Sequence, residues 1–163
     1  MTASVARSSF RRLVLISVVL GFALSLFGAA GAETGESDWH ALVTWGSSGY
    51  QVKGATEIDV ATAKALHKRG VPFVDVRGRS FPPGHIPGAY NLRWKTGKFT
   101  EVALLEIVDK DQEVVIYCGD RSCKLSPNAC AQALTWGFKK VYYFADGFPG
   151  WKAAGYPVEV SSE

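Results

Sequence analysis

From residue 56 onward the chain alternates between short apolar runs and amphipathic stretches of helical period. Asp59 is a good N-cap, and Val60, Ala63 and Leu66 follow it at helical spacing. Lys68, Arg69 and Gly70 then supply the charges and the cap residue expected at a helix end. Pro72 to Val76 reads as a buried strand. The stretch 77–88 is rich in Gly and Pro and must be loop, and Ala89 to Leu92 is a short strand. Thr100 caps a second helix whose apolar positions are Val102, Leu105 and Val108. Glu113 to Tyr117 is the candidate central strand. Ser126 caps a third helix, with Pro127 at its first position, and that helix stops at Gly137. Lys140 to Phe144 is the next strand, and Gly147 to Ala154 reads as a turn and short helix around Trp151. Strands separated by helices imply parallel pairing through crossover units, hence an α/β sandwich with helices on both faces of a mostly parallel sheet. In such sheets the site lies beyond the carboxyl ends of the strands, and Cys118 stands at such an end.

Ahead of this pattern lie two segments of different character. Residues 33–55 are polar and glycine-containing, with scattered aromatics at Trp39, Trp45 and Tyr50, and read as an extended arm lying on the domain. Residues 1–32 begin with Arg7, Arg11 and Arg12, run through an apolar stretch from Leu13 to Phe27, and end in the small residues Ala30, Gly31 and Ala32. That is the three-part layout of a secretory signal cleaved after Ala32. A retained membrane anchor is the alternative, but the apolar run is short for a span. The expectation is a periplasmic or secreted protein with no membrane attachment once the leader is removed.

Charge sharpens the picture. The net charge of +3 comes from the three arginines of the leader, because 15 of the 18 basic side chains remain beyond it against 15 acidic ones. The chain beyond the leader, 33–163, therefore balances to zero and carries no electrostatic footprint for nucleic acid. Its 3 cysteines, Cys118, Cys123 and Cys130, cannot make a disulfide framework, and no Cys/His cluster has metal spacing. Neither a metal nor an organic cofactor is expected.

Several segments, in order, carry a resemblance. Val74-Asp-Val-Arg77 and Gly84-His-Ile-Pro-Gly-Ala89 come first, then Val114-Val-Ile-Tyr-Cys118 and the helix carrying Ser126, Ala129, Gly137 and Phe138. Asp146-Gly-Phe-Pro-Gly-Trp151 and Gly155-Tyr-Pro-Val158 complete the series. Together residues 56–159 resemble a single rhodanese domain, with an α/β fold around a mostly parallel five-stranded sheet. The resemblance implies a sulfurtransferase whose catalytic cysteine is Cys118. Its thiolate would take sulfane sulfur from a small anionic donor such as thiosulfate, and the resulting persulfide would be attacked by cyanide, a small thiol or a protein thiol. The chain departs from the commonest family pattern in one place. Seven residues rather than five separate Cys118 from Ser126, and Cys123 stands where an arginine is usual. Secreted single-domain rhodaneses with a second cysteine five positions after the first look similar.

The loop itself, Gly119, Asp120, Arg121, Ser122, Cys123 and Lys124, is the candidate substrate-binding segment. Successive backbone N–H groups after Cys118, and the amino end of the helix at Ser126, are expected to stabilise a thiolate on Cys118 and an anionic donor. Arg121 and Lys124 are the candidate side-chain donors to the anion. Cys123 is a candidate redox partner able to form a disulfide with Cys118, and Cys130 reads as core. His85 in its Pro/Gly turn, the Asp75–Arg77 pair and Trp151 read as structural. Three other readings remain at this point: a thiol–disulfide redox protein built on Cys118 and Cys123, a non-catalytic rhodanese-like binding module, and a phosphatase or arsenate reductase. The last would want arginine where Lys124 stands.

Overall fold

A computed structural model of the chain describes residues 38–161, so the leader segment expected at 1–32 lies outside the described residues. Five parallel strands form the sheet, in the order β3-β7-β6-β4-β5. They are β3 (Thr56–Ile58), β4 (Phe73–Asp75), β5 (Tyr90–Asn91), β6 (Glu113–Tyr117) and β7 (Lys140–Phe144). The central strand β6 pairs with β4 through Val115–Phe73 and Tyr117–Asp75, and with β7 through all five of its residues. Four of the five β6 residues are buried, which is why the run reads as apolar without alternation.

Each face of the sheet carries its own core. Val74, Val114, Ile116, Val141 and Tyr143 point to one side, where Leu104, Ala129, Cys130 and Ala133 cover them. Phe73, Val115, Tyr117 and Phe144 point to the other, against Ala63, Leu66 and Trp151. The helices involved are α1 (Val60–Lys68), α2 (Glu101–Leu105), α3 (Leu125–Thr135) and α4 (Gly147–Ala153). Asp59 caps α1 by accepting the Thr62 N–H at 2.8 Å, and Gly70 takes the left-handed conformation that ends it. Cys130 is fully buried, as expected of a core residue, and Trp151 is anchored by donating from Nε1 to the Pro157 carbonyl at 2.7 Å.

Three expectations are corrected. The segment after residue 38 is not simply extended. It forms a 3₁₀ turn (Trp39–Leu42) and an antiparallel hairpin, β1 (Val43–Gly46) with β2 (Gly49–Val52). Trp39, Leu42, Val43 and Val52 pack into the core on the α3 side, so the hairpin belongs to the domain. Second, α2 buries Leu104, while Val102 and Leu105 are exposed at 69% and 41%. A five-residue helix has too few turns to present a stripe, so Val102 and Leu105, chosen by spacing, fall on its outer side, while Val108, past its end, is buried as expected. Third, α3 begins one residue before Ser126, so Ser126 lies inside the first turn and is not its cap. Pro127 remains in that turn, where its missing N–H costs no helical hydrogen bond.

Candidate active site

Cys118 follows β6 directly, at the carboxyl end of the most interior strand, and its side chain points back under the start of α3. Ser126 explains the geometry. Its hydroxyl lies 3.0 Å from the Cys118 sulfur, and its backbone N–H also faces that sulfur. The serine expected as a helix cap is instead a hydrogen-bond donor to the Cys118 sulfur.

The rest of the loop is arranged differently from expectation. Cys118 is only 1% exposed, and its thiol faces the carbonyl oxygen of Cys123 at 3.6 Å. A carbonyl turned towards a sulfur favours the protonated thiol. The amide groups of Gly119 and Leu125 instead serve the sulfur of Cys123, which is half-buried. The two thiols also hydrogen-bond to each other. That contact, reinforced by burial, pushes the Cys118 thiol well up. The same contact, with the two amides, pulls Cys123 down to about 6. The pair titrates as a unit, with one proton lost readily and the second held. The oriented amides expected around Cys118 are thus divided between two sulfurs.

Asp120 and Ser122 shape the loop. The Asp120 carboxylate accepts from the Ser122 N–H at 2.9 Å and from its hydroxyl, and the Asp120 carbonyl accepts from the Cys123 N–H at 3.0 Å. Arg121 is not available to an anion in the way the sequence suggests. Its guanidinium donates to Asp146 at 2.7 Å, to Glu57 at 2.6 Å and to the Ser48 carbonyl at 3.3 Å, tying the loop to β3, the hairpin turn and the start of α4. Lys124 is exposed at the residue before α3.

A second element supports the loop from below. Gly147 has φ +54°, and a Cβ there would meet the Gly119 carbonyl oxygen at 1.7 Å and the Cys118 carbonyl oxygen at 2.6 Å. Only a residue without a side chain lets α4 start this close. The next residue, Phe148, donates its N–H to the Cys118 carbonyl at 3.1 Å. On the neighbouring strand the Arg77 guanidinium forks onto Asp75, with contacts of 2.6 to 3.0 Å, and donates to the Gly84 carbonyl at 2.9 Å. Both residues are buried, so this is the structural pair expected. His85 is likewise structural: it is buried, stacks on Phe81 and hydrogen-bonds to the Phe81 carbonyl at 3.1 Å.

The loop borders two cavities. One, lined by Asp120, Arg121, Ser122 and Asp146, contains the paired arginine and its carboxylate. The other has a volume of about 500 Å³ and reaches Gly119, Cys123 and Leu125 from the side of Arg77, Arg79, Ser80, Lys95 and Thr96. Sequence reasoning did not select Arg79 or Lys95. Arg79 lies in a loop and Lys95 in a 3₁₀ turn (Trp94–Thr96), both far from Cys118 along the chain, and no local motif marks them.

The rhodanese-like domain family matches residues 59–154, more than half of the chain. An HTH-type transcriptional regulator of Mycobacterium tuberculosis is 34% identical over 114 residues, covering 66% of this chain and 47% of that protein. The chain thus spans about half the length of that relative. The thiosulfate sulfurtransferase GlpE of Actinobacillus pleuropneumoniae is 29% identical over 109 residues, covering 65% of this chain and 94% of that one. Among solved structures, the rhodanese-like domain of an Anabaena protein superposes with a TM-score of 0.53 at 26% identity, over 64% of this chain and 78% of that one. A Bacillus halodurans protein superposes with a TM-score of 0.57 at 24% identity, over 65% and 77%, a likeness of fold alone.

Proposed function

The chain belongs to the rhodanese-like domain family, and from that premise we propose that it is an exported sulfurtransferase, periplasmic or secreted, that carries sulfane sulfur as a persulfide on Cys118. The donor is a thiosulfate-like anion, and the acceptor is cyanide or a thiol, including a protein thiol. One observation carries the reading. The Cys118 sulfur sits at the carboxyl end of the central strand, under the first turn of α3, with the Ser126 hydroxyl at 3.0 Å and a second thiol in hydrogen-bond contact.

The chemistry follows from that contact. At neutral pH the pair holds one proton, on the buried Cys118, and one negative charge, on Cys123. As the donor approaches, the proton moves from Cys118 to Cys123, and the Cys118 thiolate attacks the outer sulfur of thiosulfate. A sulfur–sulfur bond forms to Cys118 while the bond within thiosulfate breaks, and sulfite leaves with the electron pair. The terminal sulfur of the Cys118 persulfide is then taken by the acceptor. The charge on Cys118 is met by the Ser126 hydroxyl and N–H at the positive end of α3. Cys123 is on this reading a base and charge reservoir rather than an idle loop residue.

The test is intact mass of the mature protein after thiosulfate. A gain of one sulfur atom, discharged by cyanide as thiocyanate, is expected. Cys118→Ser should gain none and lose turnover entirely, since a serine hydroxyl is far too weak an acid to replace the thiol. Normal turnover in that variant overturns the mechanism. A stable Cys118–Cys123 disulfide with no sulfur bound would favour the thiol–disulfide redox reading.

A further inference from the structure

The cavity beside Cys123 carries an inference about what the site binds. Its wall holds three basic side chains, Arg77, Arg79 and Lys95, together with the hydroxyl-bearing Ser80 and Thr96 and no carboxylate. Arg77 is neutralised by Asp75. Arg79 and Lys95 are exposed and make no ion pair among the described residues, where Arg69, Lys110, Arg121 and Lys139 all do. Two unpaired cations lining one concave space lower the potential energy of any anion that enters it. The cavity on the other side of the loop is the reverse case. It holds Asp120 and Asp146, and its one guanidinium is already committed to carboxylates.

Position agrees with charge. The cavity ends on Gly119, Cys123 and Leu125, the residues that surround the accessible sulfur of the pair. A smaller concavity, of about 410 Å³, near Arg69, Glu113 and Lys140 lies at the opposite, amino end of the same strands, away from both thiols.

We propose that this cavity is the donor site, that Arg79 and Lys95 hold the anionic end of a small sulfonate-ended sulfur donor, and that the donor meets the thiol pair from the Cys123 side. The proposal rests on the sulfurtransferase reading for the word donor, but not for the binding of the anion. It replaces Arg121 and Lys124 as the anion-recognising residues. Arg79 and Lys95 set substrate affinity without taking part in bond making, so they should act on KM and leave kcat nearly untouched.

Inorganic sulfate, which has the shape and charge of the sulfonate end but no sulfur to give, separates binding from chemistry. Cys123 is alkylated with neutral iodoacetamide at increasing sulfate, with sodium chloride holding ionic strength constant, and followed by fragmentation of the tryptic peptide that carries it, Ser122–Lys124 or, where Arg121 is replaced, Asp111–Lys124, whose fragments separate Cys123 from Cys118. Sulfate should slow the reaction several-fold in the wild type and in Arg121→Ala. The protection should be lost in Arg79→Ala and in Lys95→Ala, both surface substitutions that leave the cores intact. In the thiosulfate assay each of these two should raise KM roughly tenfold, as for loss of one charge-assisted hydrogen bond. No protection in the wild type, or protection lost in Arg121→Ala and kept in the other two, overturns the proposal. Protection of the expected pattern in a chain that never takes up sulfur from thiosulfate would uphold the anion site while sinking the sulfurtransferase reading.

Discussion

The first proton leaves the Cys118–Cys123 pair easily and the second does not, because the remaining thiol stabilises the thiolate beside it by donating to it. Cys123 is lowered to about 6, so its thiolate is present above that pH and lost as the pH falls through it. Alkylation of Cys123 should therefore rise through a midpoint near 6, measured by peptide mass against pH. Cys118→Ala removes the side chain that donates to Cys123, so the midpoint should move up towards an ordinary thiol value, about 8.5. A midpoint that stays near 6 would assign the whole effect to the Gly119 and Leu125 amides. The place of Cys118 at the carboxyl end of the central strand was legible from the end of the apolar run Glu113–Tyr117 and the helix start that follows. Its burial and the carbonyl facing it were not, because the path of a seven-residue loop depends on Asp120, Ser122 and Arg121 finding partners, one of them on β3.

Among the elements, α4 constrains the loop most tightly. Gly147→Ala would drive a Cβ into the Gly119 carbonyl, whereas Gly155, also left-handed at φ +72°, has nothing within 4 Å of its missing Cβ. Gly155→Ala should cost only the backbone strain, roughly 1–2 kcal/mol. Gly147→Ala should cost clearly more and also displace the Cys118 carbonyl, lowering sulfur transfer as well as denaturation midpoint. Equal losses in the two variants would contradict the close approach described. Arg121→Ala should lower stability by about 1 kcal/mol or less, because both its ion pairs are partly exposed. The short helix α2 offers a sharper contrast. Leu104→Ala should cost about 2–5 kcal/mol in chemical denaturation, and Val102→Ala close to nothing. Helix existence was legible here from the Thr100 cap, which accepts the Ala103 N–H at 3.2 Å, but which side faced inward was not. Five residues sample the helical period too briefly for spacing to decide.

For the whole molecule, the alternation of strands and helices was readable because parallel strands covered on both faces are written as plain apolar runs. The hairpin was not, since β1 and β2 are short, carry exposed polar positions and form a sheet of two strands on their own. Their Gly46-Ser-Ser-Gly49 turn was the available signal. Arg77 joins parts that lie far apart in sequence, linking Asp75 of β4, the loop carbonyl of Gly84 and the Phe148 ring at 4.5 Å. Arg77→Met should destabilise the fold by about 3–5 kcal/mol, because it takes the cationic partner from the buried Asp75 carboxyl and leaves it with the backbone N–H of residue 77. The hairpin also sets an order of assembly. It leaves the ribosome before the five-stranded sheet, yet α3, on which it rests, is made about 70 residues later. Until then Trp39, Leu42 and Val52 lack the apolar face of α3, and a chain stalled before residue 125 would present them to chaperones or to other nascent chains.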